Sequence, residues 1–141
     1  MREVFADTAY WIALTNPIDQ YHQAALRVSV RLKEARIITT DAVLTEYLNA
    51  FADKGVRLRQ AAVSSVDAIL SNPTVRVLPQ SRKSFIKAFA LYRSRLDKGY
   101  SLTDCLSMIV MRERRIPDAL TTDRHFEQEG FIALMIEKNR S

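Results

Sequence analysis

The chain has 141 residues, 48% of them apolar, with 3 Gly, 4 Pro and 1 Cys. Such a length suits one domain with a real core; the scarcity of Gly and Pro leaves no room for long flexible linkers, and a lone cysteine excludes an internal disulfide. Lys and Arg number 21 against 16 Asp and Glu, a net charge of +5 that serves solubility alone or attracts a polyanion, nucleic acid first.

Val4-Phe5-Ala6 reads as a short buried strand over residues 3–6, and Ala9 to Leu14 as a short helix stopped by Asn16-Pro17. Asp19 is placed to cap a second helix reaching about residue 36, with Tyr21, Ala24, Ala25, Val28 and Leu32 on one face. Residues 37–40 form the second strand. A helix over about 42–53 follows, carrying Leu44, Tyr47, Leu48 and Phe51 on one side and ended by Gly55. Another helix spans about 58–70 and stops near Asn72-Pro73. Residues 75–78 make the third strand, and Ser81 opens a helix to about residue 97.

Residues 102–111 are apolar on nearly all sides, so that helix is expected to be deeply buried, with Cys105 as a small core residue. Residues 119–122 form the fourth strand, 124–129 a short helix turned by Gly130, and 131–134 a fifth strand, after which the tail is expected to fray. No run approaches the roughly 20 apolar residues of a membrane helix, and Asp7 interrupts the first apolar segment early. A soluble cytoplasmic protein with no membrane role is therefore expected. Short apolar strands alternating with helices imply an α/β fold with a parallel sheet covered on both faces, and a crevice at the strands' C-terminal ends.

Four acids fall where that crevice should lie. Asp7 and Asp123 end strands, while Glu46 and Asp104 sit in early turns of helices that can face the same edge. Asp7 and Asp123 equally suit N-caps, and Ser101-Leu102-Thr103-Asp104 has capping-box spacing. Glu46 is no cap and lies at the margin of an apolar face. Gathered acids repel one another unless protons or a cation neutralise them, so a divalent-metal site serving phosphate chemistry is the leading reading. Asp41, Asp53, Asp67, Asp97 and Asp118 read as caps or solvated charges. His22 and His125 make a poor zinc pair, although His125 can touch a phosphate or simply sit on a helix surface. Trp11 suits the core or a partner groove. No Gly-x-Ser-x-Gly elbow and no phosphate-binding Gly loop occur.

In this order, the segments Val4-Phe5-Ala6-Asp7-Thr8, Asp19-Gln20-Tyr21-His22, Thr45-Glu46, Tyr100-Ser101-Leu102-Thr103-Asp104 and Leu120-Thr121-Thr122-Asp123-Arg124-His125-Phe126 resemble the PIN-domain nucleases, specifically the small VapC-like toxin ribonucleases. The last segment is the most specific, and the likeness runs over nearly the whole chain. It departs at the tail, 136–141, and at the bulky Tyr10-Trp11 pair. The resemblance implies a single PIN-like domain over residues 1–141: a Rossmann-like three-layer α/β/α sandwich with a short, mainly parallel sheet of four to five strands. It further implies hydrolysis of RNA with Mg²⁺ or Mn²⁺, one or two ions per site, held by Asp7, Glu46, Asp104 and Asp123 as catalytic and metal-binding residues. Thr8 and Thr121 would orient those acids. A cognate antitoxin and a homodimer are implied for the toxin branch, which the small size and lack of an appended domain favour. The alternatives are an RNA-processing nuclease of the same fold without an antitoxin, a non-catalytic binding module, and a phosphoacceptor receiver domain. The last would need a late-strand Lys where Thr121-Thr122-Asp123 stands.

Overall fold

The computed structural model of the chain describes residues 1–136. In chain order the elements are β1 (Glu3–Ala6), α1 (Thr8–Thr15), α2 (His22–Arg31), β2 (Arg36–Thr40), α3 (Asp41–Ala50), α4 (Val56–Ser71), β3 (Val75–Leu78), α5 (Arg82–Ser94), α6 (Leu102–Arg114), β4 (Asp118–Leu120), α7 (Arg124–Gln128) and β5 (Ile132–Ala133). The expected frayed tail lies outside the described residues, apart from its start. Among the described residues no helix is long and apolar enough to cross a membrane.

The five strands form one sheet in the order β3-β2-β1-β4-β5, and every neighbouring pair is parallel. Val4, Phe5 and Ala6 in succession are fully buried. Successive strand residues point to opposite faces, so helices must cover both sides of β1. At the edge, β3 carries the exposed Arg76 between half-buried valines. The chain first builds outwards from β1 through β2 to β3. It then returns across the sheet through α5 and α6 to lay β4 against the other side of β1. That reversal leaves a crevice beyond the C-terminal ends of β1 and β4.

Local chemistry explains most element boundaries. In α5, Ser81 and Ser84 form a capping box, and in α6 Ser101 and Asp104 form another. Along α6, Asp104 to Met108 and Met111 are buried, Cys105 completely, as expected of a helix apolar on nearly all sides. Trp11 and Tyr10 belong to the core. The Trp11 indole donates to Thr39 Oγ1 at 3.4 Å, and Thr39 donates in turn to the Ala6 carbonyl at 2.9 Å. This ties α1 to the first two strands.

Several boundaries differ from the sequence reading. Asp19 does not cap α2. Its carboxylate accepts the Tyr21 N–H at 2.8 Å in a turn of its own, and the helix begins at His22. The same helix ends at Arg31, because Arg36 is already paired in β2. Gly55 does not end α3, which stops at Ala50. With φ +89 it is the residue before α4, a conformation that glycine tolerates best. The fourth strand is shifted to Asp118–Leu120, so Thr121 and Thr122 leave the ladder and Asp118 begins it, ion-paired to Arg2 at 2.6 Å.

One unanticipated acid fastens the helical layer. The side chain of Glu129, 5% exposed, receives Arg95 from the end of α5 at 2.9 Å and Arg112 from α6 at 2.7 Å. The Tyr100 hydroxyl donates to it at 2.8 Å. Burial alone would raise this carboxyl; the hydrogen bonds from Arg95, Arg112 and Tyr100 outweigh it and hold the group down at about 2. A depressed carboxyl stabilises the fold above its unfolded value near 4.5, and that contribution is lost as pH falls from 4.5 towards 2. Glu129→Gln should therefore destabilise the chain by about 2–3 kcal/mol at pH 7 and far less near pH 2.5. Urea midpoints of both proteins at the two pH values check this; a gap independent of pH would contradict it.

Candidate active site

Parallel pairing of β1 with β4 sets Phe5 beside Ala119 and Ala6 beside Leu120. The next residues therefore emerge side by side at the crevice. The Asp7 N–H donates to the Leu120 carbonyl at 3.1 Å, and Thr121 Oγ1 donates to Asp7 Oδ2 at 2.8 Å. Asp7 is the residue before α1 but makes no side-chain cap bond. Its carboxylate is 4% exposed, and Oδ1 has no hydrogen-bond partner. A buried polar atom without a partner is costly and calls for an explanation. A cap would have supplied one.

Asp104 stands in the first turn of α6, where its carboxylate accepts the Ser101 N–H at 3.0 Å and Ser101 Oγ accepts its N–H at 3.0 Å. The cap and the acidic role coexist in this residue. Glu46 lies in the second turn of α3, half-buried and without an ion-pair partner among the described residues. α3 packs on α1 and α6, so all four acids converge on one region. Asp123 caps α7 by accepting the His125 N–H at 2.9 Å, while its own N–H donates to Thr121 Oγ1 at 3.0 Å. Thr121 thus links Asp7 and Asp123 through one hydroxyl. Thr8 is different. Its Oγ1 is buried without a partner, and only its backbone N–H leans on Asp7.

Electrostatics record the convergence. Burial lifts the Asp7 carboxyl to about 7, with the Thr121 bond opposing and the charges of Asp104 and Glu46 adding to the rise. Asp104 is raised by burial, against the Ser101 N–H, and further by Asp123 and Glu46. The tightest donor group, however, is Asp104, Asp123 and His125, whose ligand atoms lie within 4.8 Å of one another. Asp7 and Glu46 stand outside that group while sensing its charge. His125 Nδ1 lies 3.0 Å from Asp123 Oδ1 and 3.8 Å from Asp104 Oδ2. In the sequence reading His125, two residues past Asp123, has a phosphate contact or a helix-surface place and is not counted among the donor set. The crowded, partly orphaned oxygens fit a divalent cation better than any arrangement of protons alone.

A raised carboxyl has the opposite linkage to Glu129. Folded Asp7 keeps its proton to about pH 7, whereas the unfolded residue releases it near 3.8, so stability is lost as pH climbs between those values. Asp7→Asn keeps the shape, lets its carbonyl accept from Thr121, and offers an NH₂ to the neighbouring acids. Without metal it should stabilise the fold above pH 7 by up to about 4 kcal/mol, at about 1.4 kcal/mol per pH unit, and by little near pH 4. Melting curves in chelator at pH 4 and pH 8 check this, and equal shifts at both would refute it.

No family model matches the sequence, and no curated protein does either. Solved structures do. The crystal structure of Mycobacterium tuberculosis VapC20, a sarcin-ricin loop cleaving toxin, is 28% identical and superposes with a TM-score of 0.82, covering 92% of this chain and 96% of that one. VapBC2 from Rickettsia felis, solved bound to a DNA fragment from its promoter, is 17% identical with a TM-score of 0.65, covering 93% of this chain and 96% of that one; this second likeness speaks to the fold. The all-parallel sheet, the crevice at its reversal point and the agreement with VapC20 over nearly the full length give this chain the PIN-like fold of a VapC toxin.

Proposed function

We propose that this chain is an endoribonuclease, the toxin of a toxin–antitoxin pair, and that it cuts RNA phosphodiester bonds with the help of Mg²⁺ or Mn²⁺. The observation that carries the reading is the buried, unpartnered Asp7 Oδ1 among Glu46, Asp104 and Asp123, in a chain 28% identical to a toxin that cleaves the sarcin-ricin loop. A non-catalytic module has no use for a carboxylate left so costly. The metal would be held by Asp7, Glu46, Asp104 and Asp123, directly or through water, as one or two ions. When bound, it supplies an activated water and offsets charge on the phosphate.

The chain's own residues do the rest. Thr121 fixes the relative orientation of Asp7 and Asp123 through its hydroxyl. Ser101 locks the plane of Asp104. A neighbouring cleft of about 410 Å³, lined by Tyr21, Arg27, Thr122 and Arg124, offers cations to an RNA backbone and an aromatic face to an unstacked base. Val56, Val63 and Leu70 recur every seventh residue along α4 and stay exposed, and Ile86, Phe89 and Tyr92, three residues apart on α5, are exposed as well. These apolar faces support protein partners, and we assign them to a homodimer and a cognate antitoxin. An RNA-processing nuclease without an antitoxin is the second reading. An adjacent reading frame encoding a short DNA-binding partner separates it from the toxin.

Purified protein incubated with a structured RNA should cut in Mn²⁺ or Mg²⁺ and stop when chelator is added. Asp104→Asn should lower the rate by at least about a hundredfold, more than the loss of an orienting neighbour costs. Undiminished cutting in chelator, or wild-type rates from Asp104→Asn, would overturn the reading.

A further inference from the structure

The tight donor group is not the four-carboxylate set. It is two carboxylates and an imidazole. We propose that His125 is itself a ligand of the metal, so that the cation sits in a mixed nitrogen and oxygen set and a first-row transition ion such as Mn²⁺ is held in preference to Mg²⁺. The proposal rests on the reading of this crevice as a metal centre.

Donor spacing supports it. Around an octahedral ion with bonds of about 2.1 Å, adjacent ligands stand about 3.0 Å apart and opposite ones about 4.2 Å. His125 Nδ1 lies 3.0 Å from Asp123 Oδ1 and 3.8 Å from Asp104 Oδ2, inside that range. The His125 N–H donated to Asp123 Oδ1 at 2.9 Å locks the two residues together at the start of α7, so both present their donors to the same side. Asp7 supplies an independent sign that the place wants a cation. It is buried, its Oδ1 is unpartnered, and the charge of Asp104 reaches it.

The ring is also held where a ligand must be held. Its edge meets Tyr100 at 5.3 Å between centroids and 65° between planes. The Tyr100 hydroxyl is fixed on Glu129, which Arg95 and Arg112 grip in turn. On the far side Nε2 faces Gly99, where an added Cβ would lie 3.7 Å away. Supporting contacts of this kind orient a metal-binding imidazole and keep it from rotating away. Nδ1 lies 3.3 Å from Asp123 Oδ2, and it would offer its lone pair to a cation there in the neutral tautomer that carries the ring proton on Nε2.

Selectivity follows from donor type. Mg²⁺ prefers oxygen ligands and keeps its waters, whereas imidazole adds affinity for first-row transition ions. Replacing one oxygen or water with Nδ1 tilts the site towards the latter.

The test uses the full chain, stripped with chelator and loaded with MnCl₂ alone, without RNA. Pulsed electron paramagnetic resonance should show ¹⁴N coupling from a directly bound imidazole in the wild type and none in His125→Gln. The variant should bind Mn²⁺ at least about tenfold more weakly, while its Mg²⁺ affinity changes by less than about twofold. Mn²⁺ bound without ¹⁴N coupling, or coupling that survives His125→Gln, overturns this inference and leaves the metal centre standing. Wild-type protein that binds no Mn²⁺ overturns both. Should His125→Gln fail to fold, the wild-type spectrum decides alone.

Discussion

The parallel seam between β1 and β4 is the constraint on which the site depends. It joins residues more than a hundred positions apart, and it does so at the one place where the sheet changes its direction of growth. Without it, Asp7 would be a solvated acid after a short strand. With it, the carboxylate is drawn under the ends of two strands, where Thr121 is its one hydroxyl partner and only 4% of the residue stays exposed. The energetic penalty of that burial is carried by the surrounding core, in which Val4, Phe5, Ala6, Ala119 and Leu120 are all fully enclosed. A rigid frame of this kind can hold an ionisable group in an environment it would not choose alone.

Asp7 and Glu129 show how environment divides one chemistry into two roles. Both are buried carboxylates. Glu129 is met by two guanidinium groups and a phenol, and its proton is lost far below the usual range. Asp7 is met by one hydroxyl and further negative charge, and its proton is held to about pH 7. The first acid is satisfied by the protein and serves as a clasp between α5, α6 and α7. The second is left without a partner at Oδ1, the observation on which the proposed metal centre rests. The clasp also reaches the crevice, since Tyr100 bridges Glu129 and the His125 ring. A structural ion pair thereby sets the position of a side chain beside the acids.

What could be read from the sequence follows the range of the interaction. Strands at 3–6 and 75–78 were legible because a run of apolar residues bounded by Pro, Asn or Asp states its own limits. The α6 start was legible because Ser101 and Asp104 carry a capping box in four residues. The α/β class and the parallel sheet followed from the alternation of elements. The end of α2 was not legible: Val30 and Leu32 continue the helical period, and only pairing of Arg36 with the first strand ends it. Gly55 carried the right message, a break, but assigned it to the wrong side. Glu129 was invisible because Arg95 and Tyr100 are 34 and 29 positions away, beyond any local pattern. His125 was visible but undervalued. Judged by sequence it was one of two scattered histidines, and only the fold sets it against Asp104.

The distribution of ion pairs sharpens the reading of the crevice. In a chain of net charge +5, with 21 Lys and Arg, the half-buried Glu3, Asp118 and Glu129 each find a guanidinium within 4.0 Å, and the exposed Asp97, Glu113 and Glu127 each find a cation too. Among the described residues Asp7, Glu46, Asp104 and Asp123 pair with no Lys or Arg, although Arg124 follows Asp123 directly and turns instead to Glu127 at 3.1 Å. A guanidinium in their midst would neutralise them permanently, with five fixed donors that a hydrated ion could not displace. Leaving them unpaired sacrifices stability and keeps the position exchangeable. The side-chain nitrogen that does stand beside them is the His125 imidazole, 3.0 Å from Asp123 and 3.8 Å from Asp104, a ring that donates a hydrogen bond from one nitrogen and offers a lone pair from the other.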